Sequence, residues 1–257
     1  MNISSEARVC IAFSPDPVYI TPFIERLIHK HHKSIKLIIC TKGSIIRRKS
    51  VFQRISYFLS LLLILGIKES WNNIYLLLCH SKKSLNKLEQ ACLSYNISMI
   101  SDNSINAKSV IKQIKFLEID LLFNQSQHIL KKEVLDSVRL DVFNRHGGLL
   151  PLYRGRLSPF WQLLNKEKYG GLTYHVVDDK IDNGPIIYQK QIPIEKNETV
   201  PTLISKIFDN AIEHFQTVLD FYNDENYKEN YIKNDSIKKS YFSYPTIIDA
   251  LRFRLNL

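Results

Sequence analysis

Residues 141–194 read DVFNRHGGLLPLYRGRLSPFWQLLNKEKYGGLTYHVVDDKIDNGPIIYQKQIPI and are the most informative stretch of the chain. An apolar strand is predicted over residues 140–143, and it runs directly into Asn144 and His146. Side chains two positions apart on an extended chain point to the same face. An amide and an imidazole are therefore predicted to converge at the carboxyl end of this strand. The glycine pair that follows them lets a ligand approach the backbone.

A carboxylate follows at Asp182, in an Asp-Asn-Gly turn between strands predicted at 172–177 and 186–194. A carboxylate, an imidazole and an amide are the parts of a site for proton transfer and oxyanion stabilisation. The residue types alone leave a second interpretation open. In it, Asn144 and Asp182 cap turns, and His146 is an ordinary loop histidine.

Upstream of this stretch, short apolar runs alternate with helical patterns. Strands are predicted at Val9–Phe13, 35–40, 97–100 and 119–123. Thr21 and Pro22 are predicted to be the N-cap and first residue of the first helix. The alternation predicts an α/β fold of Rossmann-like type, with an open, mostly parallel sheet and helices on both faces. Ligands of such sheets bind outside the carboxyl ends of the strands.

The last part of the chain predicts a helix over 203–218, a polar segment over 222–240 and a short C-terminal helix that begins with a capping box. Ser158 is predicted to be the N-cap of a helix whose Trp161 lies in the core, and a stacking platform is the alternative for Trp161. The predicted organisation is a catalytic domain over 1–221 and a C-terminal extension over 222–257.

Four motifs occur in order within the informative stretch: Asn-x-His at Asn144 and His146, Leu-Leu-Pro-x-Tyr-Arg-Gly at 149–155, a strand histidine at His175, and Asp-x-Gly at Asp182 and Gly184. Together they resemble the catalytic domain of the formyltransferases that use 10-formyltetrahydrofolate. The segment Ser-Tyr-Phe-Ser-Tyr-Pro-Thr at 240–246 is similar to the end of some free-standing members of that family.

The resemblance implies the formyltransferase fold and direct transfer of a formyl group to an amine without a metal. It implies that Asn144, His146 and Asp182 are catalytic. The residues that it assigns to the folate site are Gln127, His128, Ile129 and Leu130 on one loop, with His175, Val176, Val177, Asp178 and Asp179 forming the second wall.

The acceptor of the formyl group is inferred from two features of other family members that this chain does not have. Residues 14–17 read Ser-Pro-Asp-Pro, without the glycine loop of glycinamide ribonucleotide members, and too few residues follow the last strand for the barrel of methionyl-tRNA members. The expected substrate is a small anionic amine, foremost a nucleotide-linked amino sugar for surface polysaccharide, with Arg154 and Arg156 as phosphate contacts. Methionyl-tRNA or another amine is the alternative acceptor, and solvated loop charge is the alternative for the two arginines.

Composition narrows the class of protein. The chain has 257 residues, a net charge of +10, 45% hydrophobic and 23% charged residues, so an ordinary folded core is expected. Its four cysteines show no paired or metal-ligand spacing, which predicts reduced thiols in a cytoplasmic protein. His29, His31 and His32 are interpreted as a solvated helix end. A homodimer is one assembly that the sequence leaves open.

The positive charge leaves rivals from other classes: an inactive folate-binding protein, or a basic protein that binds membranes or nucleic acid. Nucleic acid is disfavoured because no basic-aromatic repeat or known binding motif is visible. The apolar run 57–67 is shorter than the about 20 residues that span a bilayer, and no signal peptide is predicted. The preferred interpretation of 47–67 is a buried helix after a solvated basic segment, and the alternative is contact with a membrane surface.

Overall fold

The computed structural model describes residues 7–42, 50–235 and 240–255. Its strands, in chain order, are β1 (Val9–Phe13), β2 (Ile35–Thr41), β3 (Ser98–Asp102), β4 (Leu121–Gln125), β5 (Asp141–His146), β6 (Arg154–Gly155), β7 (Tyr169–Val176), β8 (Ile186–Pro193) and β9 (Tyr241–Phe242). Its α-helices are α1 (Ile20–His31), α2 (Val51–Leu65), α3 (Ile67–Tyr75), α4 (Ser81–Ser94), α5 (Lys108–Phe116), α6 (Lys132–Leu135), α7 (Ser158–Leu164), α8 (Val200–Glu213), α9 (Phe215–Phe221) and α10 (Ile247–Leu255). A π-helical turn (Leu76–His80) and a 3-10 turn (Tyr227–Asn230) complete the described elements.

The chain forms two compact units that exchange segments along the sequence. The first unit comprises residues 1–45, 76–144 and 212–230, and the second comprises 46–75, 145–211 and 231–257. The predicted extension is therefore divided, with 222–230 in the first unit and 231–257 in the second. A domain boundary at residue 221 stays a prediction.

The first unit is built on parallel strands in the order β3-β2-β1-β4-β5. From β1 the chain proceeds outward to β2 and β3 and then crosses back to β4 on the other side. This reversal at β1 and β4 is the switch point at which open α/β sheets bind ligands. Ser14 and Gln125 stand there, and the Ser14 N–H donates to the Gln125 carbonyl at 3.4 Å.

The second unit contains an antiparallel pair, β7 and β8, in which Tyr174 lies opposite Tyr188. A short parallel pair joins β6 to β9. Phe160, Trp161 and Phe253 belong to its buried apolar cluster, so the core position predicted for Trp161 is confirmed. With five parallel strands in one unit and an antiparallel pair in the other, the predicted α/β fold with a mostly parallel sheet is confirmed.

Two helix starts differ from their predictions. Asp16 Oδ1 accepts the N–H groups of Val18 and Tyr19 at 2.7 and 2.9 Å, so α1 begins at Ile20 and Thr21 is not its N-cap. In α7 the N-cap is Leu157, in the left-handed region with φ 52°, and Ser158 is already helical.

Two further predictions about the helices are wrong in whole or in part. The expected helix over 203–218 is two helices, because His214 departs from helical dihedrals with φ −95° and ψ 8°. The solvated helix end holds for His29, which is exposed, but not for His31. The buried ring of His31 packs 5.2 Å from that of Phe215, and its Nε2 lies 3.2 Å from the Ile212 carbonyl oxygen. The prediction of reduced thiols, most of them in the core, agrees with the structure. Cys10, Cys40 and Cys92 are buried free thiols, and Cys79 is an exposed one.

Helix α2 contradicts the preferred interpretation of a buried helix. A capping box between Ser50 and Gln53 starts it, and Gly66 with φ 86° ends it. Its face at Val51, Ile55, Phe58 and Leu59 is exposed. The basic residues 47–49 lie outside the described residues. Among the helices that the structure describes, none is long and apolar enough to cross a membrane.

Aromatic packing holds the centre of the first unit. The fully buried ring of Phe123 stacks on Phe143 at 5.0 Å and lies 5.4 Å from Phe215 and 6.2 Å from Phe23. Phe123 lies on β4 and Phe143 lies opposite it on β5. The stacking of the two rings therefore depends on the register in which these strands pair.

We expect Phe123→Ala to lower the free energy of unfolding by about 3–5 kcal/mol, because it leaves a cavity among three other rings. The measurement is urea denaturation followed by circular dichroism. The matched control is Phe116→Ala, whose side chain is 76% exposed, and which should change stability by less than about 0.5 kcal/mol. Equal losses for the two variants would contradict the central role of the Phe123 cluster.

Candidate active site

The second unit holds a buried carboxylate between two imidazoles. Oδ2 of Asp182 lies 3.4 Å from Nδ1 of His146, and Oδ1 lies 3.5 Å from Nε2 of His175. The three side chains are at most 9% exposed. The backbone N–H of Gly155 donates to Oδ2 at 2.8 Å, which gives the charged oxygen a fixed donor.

Backbone carbonyls determine the protonation pattern of both imidazoles. Nε2 of His146 lies 2.7 Å from the Tyr153 carbonyl oxygen, and Nδ1 of His175 lies 2.9 Å from that of Val176. A carbonyl oxygen only accepts, so each of these ring nitrogens carries a hydrogen. The other nitrogen of each ring faces Asp182, and a proton that arrives there binds between an imidazole and a carboxylate.

The charges of this cluster follow from burial and proximity. Burial raises the pKa of Asp182, but attraction to His146 and His175 in their protonated forms, together with the Gly155 N–H, outweighs burial and holds that pKa well below its usual range. Burial lowers the pKa of His146, while the Asp182 carboxylate acts in the opposite direction. At neutral pH the pair therefore consists of an ionised carboxylate and a neutral imidazole that can accept a proton.

The turn that carries Asp182 has a strained and crowded backbone. Asp182 itself has φ 49°, in the left-handed region. A Cβ at Gly184 would lie 2.0 Å from the Val176 carbonyl oxygen, so only glycine fits there. Glycine is also required at Gly155, with φ 98°, because a Cβ would lie 2.1 Å from the Phe242 carbonyl oxygen.

Asn234 braces this turn from a segment distant in sequence. Its Nδ2 donates to the carbonyls of Asp182 at 3.1 Å and Gly184 at 2.8 Å. Arg154 Nη2 in turn donates to the Asn234 backbone carbonyl at 3.0 Å and to its Oδ1 at 3.1 Å. Arg154 Nη1 donates to Asn183 Oδ1 at 3.1 Å. Both ends of the Asp-Asn-Gly turn are thus tied to one buried network.

The two arginines predicted to bind substrate lie in different environments. Arg154 is buried, and both of its terminal nitrogens serve the network around Asn234. Arg156 is half-buried, and its guanidinium lies 5.5 Å from the ring centre of Tyr244. A phosphate contact stays a prediction for both, and the exposure of Arg156 suits it better.

The glycine pair after His146 packs closely around the imidazole and neighbouring side chains. A Cβ at Gly148 would lie 3.0 Å from Nε2 of His146, so this glycine makes room for the imidazole. The carbonyls of Gly147 and Gly148 accept from Gln162 Nε2 at 2.8 Å and Thr173 Oγ1 at 2.6 Å. These two carbonyls are thus hydrogen-bonded within the unit, and the approach of a ligand to the backbone of the pair stays a prediction.

Asn144 belongs to the first unit, at the end of the β5 segment there. Its Oδ1 accepts from Gln125 Nε2 at 2.7 Å, which orients the amide and makes Nδ2 its donor group. The loop that follows β4 is anchored by Ser14, whose Oγ accepts from the Gln127 N–H at 3.0 Å. Sequence reasoning missed Gln125 and Ser14, although Ser14 directly follows a predicted strand and Gln125 lies two residues after another.

The loops assigned to folate are ordered by local contacts. Asn106 Nδ2 donates to the Ile129 carbonyl at 2.9 Å, while the Ile129 side chain is exposed. Nε2 of His128 is buried without a hydrogen-bond partner. On the second wall, Asp178 accepts from Asn183 Nδ2 at 2.6 Å. The binding roles of these residues, and of Leu130, Val177 and Asp179, stay predictions.

The described residues contain no group of histidines, cysteines and carboxylates arranged to hold a metal. What the second unit offers is a carboxylate of fixed charge beside a neutral base, which suits acid–base chemistry in a group transfer.

Comparison with known proteins identifies the class. The model of the formyl transferase family matches residues 67–219, which is more than half of the chain. The chain therefore belongs to the formyltransferase family, whose members use 10-formyltetrahydrofolate as formyl donor. Formyl transfer is the reaction that members of this family carry out.

Two individual relatives align with part of the chain. The chain is 35% identical over 121 residues to the bifunctional polymyxin resistance protein ArnA of Wigglesworthia glossinidia brevipalpis, with 47% of the chain and 18% of that protein aligned. It is 30% identical over 122 residues to the methionyl-tRNA formyltransferase of Thermodesulfovibrio yellowstonii, covering 47% of the chain and 40% of that enzyme. The alignments thus span less than half the length of these two relatives.

A solved structure extends the likeness over nearly the whole chain. The N-formyltransferase of Helicobacter canadensis, in complex with folinic acid and dTDP-3-aminofucose, has a TM-score of 0.55 and 19% identity. The match covers 96% of the chain and 80% of that structure, and it shows a common fold.

We expect Asn234→Ala to displace Asp182 and so to lower the pKa of His146 further, because the carboxylate is the neighbour that raises it. The loss of buried hydrogen bonds should also reduce stability by about 1–3 kcal/mol. An NMR titration of the His146 ring measures the first effect, and thermal unfolding measures the second.

The matched control is Asn226→Ala, an exposed asparagine whose replacement should change neither quantity. An unchanged His146 titration in a destabilised Asn234→Ala variant would mean that Asn234 stabilises the unit without positioning Asp182.

Proposed function

We propose that the chain transfers a formyl group from 10-formyltetrahydrofolate to the primary amine of a nucleotide-linked amino sugar. The observation that carries the proposal is the pair of His146 and Asp182 at 3.4 Å, buried and with a fixed backbone donor on the carboxylate. The sequence motifs that surround the pair belong to a family of formyltransferases.

The residues present fit a polar folate ligand. Nε2 of His128 is buried without a hydrogen-bond partner, and an unpaired buried nitrogen is costly unless a ligand satisfies it. When bound, 10-formyltetrahydrofolate supplies the formyl carbon as electrophile and its N10 as the leaving nitrogen. A carbon–nitrogen bond to the acceptor forms and the bond to N10 breaks, while the acceptor amine loses one proton and N10 gains one.

His146 is the base that takes the proton of the attacking amine. Its lowered pKa keeps the imidazole neutral, and Asp182 stabilises the imidazolium that forms. Asn144 Nδ2 donates to the formyl oxygen as negative charge develops, an interaction worth about 3 kcal/mol in comparable sites. The Gly155 N–H, which donates to Oδ2, helps to hold Asp182 in its charged form.

The acceptor is inferred from charge and from the fold relatives. The net charge of +10 and the half-buried Arg156 favour an anionic substrate, because a guanidinium grips phosphate through paired hydrogen bonds. The complex of the Helicobacter canadensis enzyme with dTDP-3-aminofucose supports a nucleotide-linked sugar. Methionyl-tRNA is the second candidate, favoured by the 30% identity to the Thermodesulfovibrio yellowstonii enzyme.

We expect Asp182→Asn to lower kcat by at least about a hundredfold, because the imidazolium loses its counter-charge. For the unaltered chain, kcat should fall with decreasing pH below about 6.5, since burial places the pKa of His146 under its ordinary value. The Asp182 carboxylate raises the pKa of His146. Its removal in the Asp182→Asn variant should therefore move the fall of kcat on the acid side of the profile to still lower pH.

The measurement is kcat at saturating substrates from pH 5 to 9, a range chosen to be about two units either side of neutrality. Asp136→Asn, which removes an exposed carboxylate paired with Lys132, is the control and should match the unaltered chain. Normal turnover by the Asp182→Asn variant would exclude the proposed proton transfer.

The acceptor is tested by incubating the chain and 10-formyltetrahydrofolate with nucleotide-linked amino sugars, the same sugars without nucleotide, and methionyl-tRNA. Mass spectrometry detects the product by the added formyl group. We expect the linked sugar to be preferred and Arg156→Ala to raise its KM about tenfold, as for loss of one charged hydrogen bond.

Arg139→Ala, at an exposed arginine 3.5 Å from Asp120, is the control and should leave KM unchanged. Exclusive use of methionyl-tRNA would replace the sugar by the second candidate, and equal use of free and linked sugars would exclude a phosphate grip.

A further inference from the structure

Three helices of the second unit expose apolar stripes. Of the twenty large hydrophobic side chains exposed among the described residues, ten lie in α2, α3 and α10. They are Val51, Ile55, Phe58, Leu59, Ile67, Trp71, Tyr75, Ile248, Leu251 and Leu255. Such a concentration marks an interaction surface, because scattered single residues are the norm on a soluble protein.

The exposed residues follow helical spacing, so each helix has one outward apolar face. In α3 the face is formed by Ile67, Trp71 and Tyr75, each four residues apart, with exposed fractions of 81%, 73% and 52%. The faces of α2 and α10 repeat at three- and four-residue intervals. The opposite sides of these two helices pack together, and Arg254 Nε donates to the Leu63 carbonyl between them.

The charges among the stripes are mainly positive. Arg54, Lys68 and Arg252 are exposed beside the apolar residues, whereas the two carboxylates of these helices are only half-exposed. One of them, Asp249, is engaged by the N–H and hydroxyl of Thr246 at 2.9 and 2.7 Å. A second copy of the chain on this surface would bring like charges together without matching carboxylates. An anionic lipid surface complements both the cations and the apolar stripes.

We propose that the outward faces of α2, α3 and α10, the stripe surface, bind the headgroup region of an anionic bilayer. The exposed Trp71 and Tyr75 suit this region, where aromatic side chains concentrate. Binding is peripheral, with apolar side chains entering the interface and Arg54, Lys68 and Arg252 meeting lipid phosphates. It does not depend on the proposed formyl transfer.

The test is co-sedimentation of the full chain with vesicles of phosphatidylcholine alone and of phosphatidylcholine mixed with phosphatidylglycerol. We expect binding to the mixed vesicles to be at least about tenfold stronger, and to weaken in high salt, as for a few basic residues near an anionic surface. The chain has two tryptophans, of which Trp161 is buried. A blue shift of emission on binding should therefore disappear in Trp71→Phe.

The double variant Ile67→Ser with Ile248→Ser should lose vesicle binding. The matched control, Leu93→Ser with Phe116→Ser, removes side chains of similar exposure elsewhere, 72% and 76% against 81% and 70%, and should bind as the unaltered chain does. Failure to sediment with the mixed vesicles overturns the proposal, as does equal binding to both vesicle types. A dimer in solution that only the Ile67 and Ile248 variant dissociates would assign the surface to a second copy instead.

Discussion

The buried charge of Asp182 is the constraint on which the second unit depends. Removing a carboxylate from water is costly unless hydrogen bonds and opposite charge compensate for it. The compensation comes from the Gly155 N–H and, when they bind a proton, from the imidazoles of His146 and His175. Because one of these donors is backbone, the position of the chain at Gly155 is as important as any side chain in the cluster.

The segment after residue 230 provides that position. The N–H of Arg154 donates to the Ser240 carbonyl at 2.9 Å, and that of Arg156 donates to the Phe242 carbonyl at 2.8 Å, so β9 holds β6 in place. Asn234 holds the carbonyls of the Asp182 turn from the same segment. What the sequence presents as a polar tail is therefore part of the support of the candidate active site. A role of this kind explains why Arg154 is buried.

Positively charged side chains of the second unit lie in two different environments. Arg156, half-buried near the Asp182 cluster, suits a small anionic substrate, whereas Arg54, Lys68 and Arg252 lie among exposed apolar side chains. The apolar run that includes part of α2 is amphipathic in the fold, because α10 covers one side of the helix and nothing described covers the other. Net charge alone could not separate these environments, since it sums over the whole surface.

The sequence by itself determined the α/β class, the central strands and the order of the four family motifs. Alternating apolar runs and motif spacing are local properties, so strand β1 was predicted residue for residue. The 3.4 Å approach of His146 to Asp182, the turn donor at Gly155 and the brace at Asn234 were decided by tertiary structure. Gly155 and Asn234 lie 27 and 52 residues from Asp182, and each contact joins one side chain to a backbone group that every residue has. Local sequence carries no signal for such a contact, because it forms only when distant segments are packed together.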